Sequence, residues 1–412
     1  MGDLTCEGFG IEKLGIYCGR YALRLTDLAL RRGLDAQKLQ GELLAHERSV
    51  FPPWEDAVSM AVNAADPMLS SADRRAVGLL IVASETAVDQ EKALSSWVHE
   101  ALQLPEDCRN FELKHACMGT TDAIRMALGW LATLAYGRKA LVISADRSLM
   151  AFGEGWETIN GGAAAAVLLS AEPHVLLYQG MPGIYTRNIT DVIRPTPRLE
   201  TGNSQESLFG YLEALDGSLA RYLELTPAAR DYDHYFVAHI YHAPFPGMTY
   251  RAHRCVHQQL QSSVDRDEFR NSFEKRVLPF LEYNRRIGTS FGASTLISLA
   301  CLIRRKYALR PGDCVSFYAY GAGSCGEFYG ARVGADAAAN APGEDLEAAL
   351  NARKCISVDE YEELERAVDD CIGKKDVDIR IDPNWTPRCG GQRLYALRHI
   401  SNYVRSYGWI EA

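Results

Sequence analysis

The apolar and polar positions divide the chain into a repeating series of helices and strands. Over 56–69 apolar residues recur at helical spacing, and 75–83 then forms an apolar run of strand length that stops at Ser84-Glu85-Thr86. A second helix is predicted over 93–104, a connecting segment over 110–116, and a third helix opening just after Cys117, with Asp122 in its first turn. That third helix, running to 134, is apolar on nearly every face, which predicts burial in an inner layer, and Gly137 stands where a stop is expected. Strands follow at 139–144 and 163–170. Such alternation predicts an α/β fold with buried parallel strands.

The plan then repeats: a helix over 207–223, a strand over 233–240, a long helix over 292–307, and strands over 314–320 and 327–333. Each half has a strand ending in a polar residue, Glu85 or His242, and a helix entered through a glycine-bearing turn, Gly119 or Gly288. The expectation is a duplicated chain with halves at 1–172 and 173–412, connected around 185–205, which is rich in Pro, Thr, Asn and Gly. The charged helical pattern over 357–372 reads as an insertion or cap.

Composition narrows the function. With 412 residues, 47% hydrophobic and 24% charged, the chain is globular. It has no run near the roughly 18 apolar residues of a membrane span and no signal-peptide pattern at its start, so a cytosolic protein is expected. The net charge of -9 argues against nucleic acid as a partner. The basic pairs Arg31-Arg32 and Arg285-Arg286, and the cluster Arg304-Arg305-Lys306, read as solvated helix ends. The 11 cysteines are scattered and never spaced Cys-x-x-Cys, which suggests free thiols rather than disulfides or a zinc ribbon.

One cysteine has the setting of a nucleophile. If a buried helix begins just after Cys117, the helix N-terminus favours a thiolate there, and its free N–H groups can hold an oxyanion. A small residue packed at a helix start explains the same position equally well. Glu85 ends an apolar strand, where desolvation raises a carboxyl toward the range of a general base, although a cap is the more common role. Asp89 nearby reads as a cap. His242, with Pro244 two positions on, is pinned at a strand end, and His239 faces the other side by alternation. Gly321-Ala322-Gly323-Ser324-Cys325-Gly326 fits a dinucleotide fingerprint only superficially, because a strand-like segment follows where a helix is required. A tight turn that brings backbone N–H groups to an active site explains these residues better.

These segments resemble the 3-hydroxy-3-methylglutaryl (HMG) synthase family of thiolase-like condensing enzymes. The resemblance rests on Gly10-Ile11-Glu12, Ala83-Ser84-Glu85-Thr86-Ala87-Val88-Asp89, Lys114-His115-Ala116-Cys117-Met118-Gly119, His242-Ala243-Pro244-Phe245 and Tyr320-Gly321-Ala322-Gly323, all in family order. It implies a duplicated five-layered α/β/α/β/α sandwich, a homodimer, and no metal or organic cofactor. It also implies Cys117 as the acylated nucleophile, Glu85 as the acid/base and His242 as the residue that orients the second substrate. Gly288, Thr289, Gly321, Ala322 and Gly323 would surround the substrate carbonyls.

Phe51-Pro52-Pro53-Trp54-Glu55-Asp56, Val62-Asn63-Ala64-Ala65 and Arg194-Pro195-Thr196-Pro197-Arg198-Leu199-Glu200-Thr201-Gly202 are similar to the branch that serves polyketide assembly lines. The implied partners are acyl carrier proteins, one donating acetyl and one bearing a β-ketoacyl chain that receives a β-branch. An acetyl-CoA and acetoacetyl-CoA enzyme of the mevalonate pathway is one rival reading, and a scaffold that only binds acyl carriers is another. Two positions depart from the family pattern. Thr289 stands where an asparagine is usual, and Pro246-Gly247-Met248 replaces a lysine-methionine pair, which fits reduced contact with coenzyme A phosphates.

Overall fold

The computed structural model describes residues 8–261, 265–305, 309–342, 344–383, 385 and 393–410. Its centre is one long mixed sheet. Across it the strands run Arg109–Leu113, Val77–Ala83, Lys139–Arg147, Gly162–Ser170 and Gly10–Tyr17, then Leu176–Tyr178, Cys325–Val333, Cys314–Gly321 and Ala238–Tyr241. The two halves of this order are mirror copies. Val77–Ala83 pairs parallel with Lys139–Arg147, which pairs antiparallel with Gly162–Ser170, itself antiparallel to Gly10–Tyr17. Ala238–Tyr241, Cys314–Gly321, Cys325–Val333 and Leu176–Tyr178 repeat the same senses in the same order. Only two register pairs, Gly10 with Leu177 and Ile11 with Leu176, join the copies.

Strand Val77–Ala83 is buried on both faces, which is why it reads as an unbroken apolar run. Its alternate residues enter different cores. Leu79, Ile81 and Ala83 pack with helices Gly119–Thr133 and Ser294–Arg304, whereas Leu80 and Val82 pack with helix Ala57–Ala65. A third core joins helices Ser204–Leu225 and Met248–Leu260 to the outer face of the second copy. The layers are therefore helix, sheet, helix, sheet, helix.

Several elements differ from the sequence reading. The helix over 56–69 is Ala57–Ala65, capped by Asp56, followed by one 3-10 turn. The predicted strand 75–83 begins at Val77, because Ser71–Ala76 is a short helix closed by a Ser70–Asp73 capping box. Segment 233–240 opens as helix Tyr232–Tyr235, which sends Tyr232 and Phe236 into the core, and the strand starts only at Ala238. The connection over 185–205 contains the hairpin Val192–Thr196 and Leu199–Gly202. The helix Gly119–Thr133 is not buried all round: Met126 is 52% exposed and Leu134 57%. The long helix of the second half is Ser294–Arg304, and the end of its expected span, 306–307, lies outside the described residues.

Helix Val358–Cys371 lies on the outer face of the first copy, where Val358 and Tyr361 join the core of helix Ala57–Ala65. Arg31 is exposed at a helix end, whereas its neighbour and the second pair tie elements together. Arg32 grips Glu157 with two hydrogen bonds of 2.8 Å, Arg285 donates to Leu44 O, and Arg286 donates to Asn351 and Leu350 O.

Candidate active site

The loop before helix Gly119–Thr133 places Cys117 at its start, after Ala116 in a left-handed conformation with φ of 44°. A side chain at positive φ is strained, and here it turns the chain sharply so that Cys117 faces the end of strand Val77–Ala83. There Cys117 Sγ donates to Glu85 Oε1 at 3.2 Å. The two groups are thus within one proton transfer of each other.

Burial, and then the neighbouring charge of Asp146, push the Glu85 carboxyl well above the usual range. Cys117 also moves up, through burial first and then the charge and hydrogen bond of Glu85. The thiolate expected from the helix N-terminus is therefore not the resting form. Desolvation and a facing carboxylate outweigh the partial charge of the helix end, and the thiol stays protonated until a partner takes its proton.

The turn that carries Glu85 is held firmly. Asp146, 3% exposed, accepts from Glu85 N at 2.8 Å, Ser84 Oγ at 3.0 Å and Thr86 Oγ1 at 2.7 Å. Arg194 of the hairpin donates to the Glu85 carbonyl and pairs with Glu200. Asp89 is exposed and accepts from Glu91 N and Lys92 N, closing its own turn as a cap would.

His242 follows strand Ala238–Tyr241 in the second copy, the counterpart of the strand before Glu85. Its backbone N–H donates to Tyr318 O at 2.7 Å, and its carbonyl accepts from Tyr211 OH at 2.8 Å. Burial lowers the imidazole to about 3, so it works neutral. Nδ1 lies 2.8 Å from Ser294 Oγ, which also accepts from Ala243 N at 3.3 Å. With the Ser294 hydroxyl donating to Nδ1, the ring carries its hydrogen on Nε2. His239 faces away, bonded to Ser316 and Asp233.

The glycine turn presses on the cysteine loop. A methyl group at Gly321 would lie 2.8 Å from Met118 N and 2.9 Å from His115 O. Gly323 N–H is committed to Asp191 Oδ1 at 2.9 Å, and Tyr320 OH holds the other oxygen of that fully buried carboxylate. Ala322 N–H has no hydrogen bond among the described residues, so it is the donor of this turn open to a ligand. Gly288 serves by conformation, with φ of 81° and its Cα against Asn160 and Gly161, while its N–H bonds to Asn284 O. Thr289 N–H donates to Ile159 O, and the Thr289 hydroxyl makes no hydrogen bond among the described residues. None of Cys117, Glu85 and His242 lines the cavity of about 640 Å³ beside strand Gly10–Tyr17.

Asp146, Asp191, Arg194 and Ser294 were not legible as site residues. Asp146 did carry a signal, since it is a polar residue near the end of an apolar strand, the criterion that singled out Glu85.

Comparison with known proteins places the chain in a family. Residues 6–174 match the model of the hydroxymethylglutaryl-coenzyme A synthase N-terminal domain, and residues 249–408 match that of the C-terminal domain. A polyketide biosynthesis 3-hydroxy-3-methylglutaryl-ACP synthase of Bacillus subtilis is 32% identical over 97% of this chain and 99% of its own length. A hydroxymethylglutaryl-CoA synthase of Enterococcus faecalis is 27% identical over 97% and 99%. The HMG synthase of the curacin biosynthetic pathway, also solved in complex with acetyl donor-ACP, superposes with a TM-score of 0.92 at 33% identity, covering 98% of this chain and all of that one. The chain belongs to the hydroxymethylglutaryl synthase family, a condensing enzyme with the thiolase-like sandwich.

Proposed function

We propose that this enzyme installs β-branches on carrier-bound polyketide chains, with Cys117 as its nucleophile, Glu85 as its acid/base and His242 as the donor to the second substrate. The contact between Cys117 Sγ and Glu85 Oε1 at 3.2 Å carries the reading. Cys117 attacks an acetyl thioester, and its proton leaves with the departing thiol. The Cys117 and Ala322 N–H groups receive the carbonyl oxygen. Glu85 then takes a proton from the acetyl methyl group, and the enolate adds to the β-ketone of the second thioester. His242 Nε2–H steadies the oxygen that becomes the alkoxide. Water finally releases the product from Cys117, leaving a free carboxylate.

Two observations support carrier proteins over free coenzyme A as the thioester source. The relatives named for polyketide biosynthesis and for the curacin biosynthetic pathway match 97 and 98% of the chain at 32 and 33% identity, against 27% for the Enterococcus enzyme. Gly247, in place of the lysine usual in the family, has its N–H on Leu43 O, and a side chain there would meet Glu42 O at 2.1 Å. The cation is absent because the end of helix Ala36–Leu43 occupies its space.

A homodimer is supported by two surfaces of the first copy. Among the described residues strand Arg109–Leu113 pairs on one side only, and Met126, Leu134 and Tyr136 are exposed on and just after the helix that follows Cys117. A cytosolic setting is proposed as well; among the described residues no helix is long and apolar enough to cross a membrane.

Intact-protein mass spectrometry tests the chemistry. A Cys117-dependent acetyl adduct that forms faster from acetyl-carrier protein than from acetyl-CoA supports this reading. Loading by coenzyme A alone would favour a mevalonate-type enzyme, and no adduct from either donor would leave a scaffold.

A further inference from the structure

Glu85 sits among four groups that carry or exchange a proton, each delivered by a different element. Cys117 comes from the loop before helix Gly119–Thr133, and Asp146 from strand Lys139–Arg147. Arg194 and Glu200 come from opposite strands of the hairpin Val192–Thr196 and Leu199–Gly202. Glu85 and Asp146 are two carboxyls in one desolvated place, and such a pair resists double ionisation. Something must offset their repulsion if Glu85 is to act as a base near neutral pH.

Arg194 is the cation placed to do this. Its Nη1 donates to the Glu85 main-chain carbonyl, on the side of the turn opposite the Asp146 bond to Glu85 N. Its Nε and Nη2 donate to Glu200 Oε2, which fixes the guanidinium plane. The Arg194 side chain is only 17% exposed and that of Glu200 30%, so water screens the charge little. The hairpin itself is mostly exposed and makes no apolar core, so packing does not account for the buried guanidinium.

We propose that Arg194 is a positioning residue of the condensation step: it clamps the Glu85 turn through the main-chain carbonyl and supplies the positive charge that lets Glu85 release its proton. Glu200 holds Arg194 in place and moderates that charge. The hairpin thereby tunes the acid/base without touching substrate. Burial and Asp146 drive Glu85 upward, while Arg194 and the Cys117 hydrogen bond act in the opposite direction, with Glu200 adding a smaller upward push.

This inference rests on Glu85 being the base, and the test separates the two. Wild type, Arg194→Met, Arg194→Lys and Glu200→Gln are compared for Cys117 acetylation by intact mass and for condensation rate from pH 5.5 to about 9.5, a range chosen to span the raised carboxyl. Activity needs the Glu85 carboxylate, so the rate rises with pH through its pKa. Removing the cation moves that rise toward alkaline pH by about one unit, a rate loss of about tenfold on its acid side, with acetylation within about twofold. Arg194→Lys restores most of the position. Glu200→Gln moves the rise the other way, toward acid pH, and reads the same electrostatics even if Arg194→Met folds poorly.

A rise that stays in place in both Arg194→Met and Glu200→Gln would overturn the proposal. So would a uniform loss at every pH, which marks a merely structural role. If instead Glu85→Gln condenses as fast as wild type, the base assignment fails first, and the inference with it.

Discussion

The two copies of the sheet motif have the same strand order and the same strained entry to the central helix, yet they carry different chemistry. Ala116, at φ 44°, stands three residues before helix Gly119–Thr133, and Phe291, at φ 50°, stands three residues before helix Ser294–Arg304. The residue after the strained one is Cys117 in the first copy and Gly292 in the second. A methyl group at Gly292 would lie 2.1 Å from Thr120 Oγ1 and 2.8 Å from Cys117 O. The copies meet with room for one side chain between them. Duplication supplies two equivalent turns, and packing leaves no room for a side chain in the second, so only the first carries a thiol. The corresponding strand ends divide in the same way, with acid Glu85 on one side and neutral His242 on the other.

The strongest way to break this division is Cys117→Ala, for which no acetyl adduct and a condensation loss of at least about a thousandfold are expected in mass and turnover assays. Nothing in the second copy replaces it. Glu85→Ala sharpens the split between steps: the acetyl adduct still forms, while condensation falls by about 10²–10⁴. Single-turnover measurement of each step checks this, and equal loss of both contradicts the role of Glu85.

Gly292→Ala tests the space argument. The added methyl forces Thr120 and the Cys117 carbonyl aside, so a stability loss of about 1–3 kcal/mol by denaturant melt and a displaced, slower nucleophile are expected. Ser294→Ala is a milder probe of the second copy. It removes the partner of His242 Nδ1 and frees the tautomer, so condensation drops by about tenfold for roughly 1.4 kcal/mol of lost orientation, with acetylation unchanged.

The same comparison shows what the sequence could reveal. Strands buried on both faces, such as Val77–Ala83, announce themselves as apolar runs, and a polar residue placed at such an end is conspicuous. Glu85 and His242 are visible in this way, and Cys117 by its place at the start of an apolar helix. The aromatic stretch near Tyr232 was misread as strand because Tyr and Phe suit either element, and only the three-dimensional core decides that Tyr232 and Phe236 belong on one side of a short helix. The hairpin bearing Arg194 was hidden by Pro195 and Pro197, which read as loop, and by exposed faces that give no alternation. Asp191 and Ser294 act through hydrogen bonds to residues distant in the sequence, a kind of partnership that no local pattern encodes.

Gly247 has a consequence for any redesign of this enzyme. With Glu42 O 2.1 Å from where its Cβ would stand, restoring a lysine by one substitution produces a collision before it produces a phosphate contact. A side chain at this position needs the segment ending at Leu43 to retreat first. The packing works as an interlock, in which the bare backbone at 247 and the seat of that helix end can change only together.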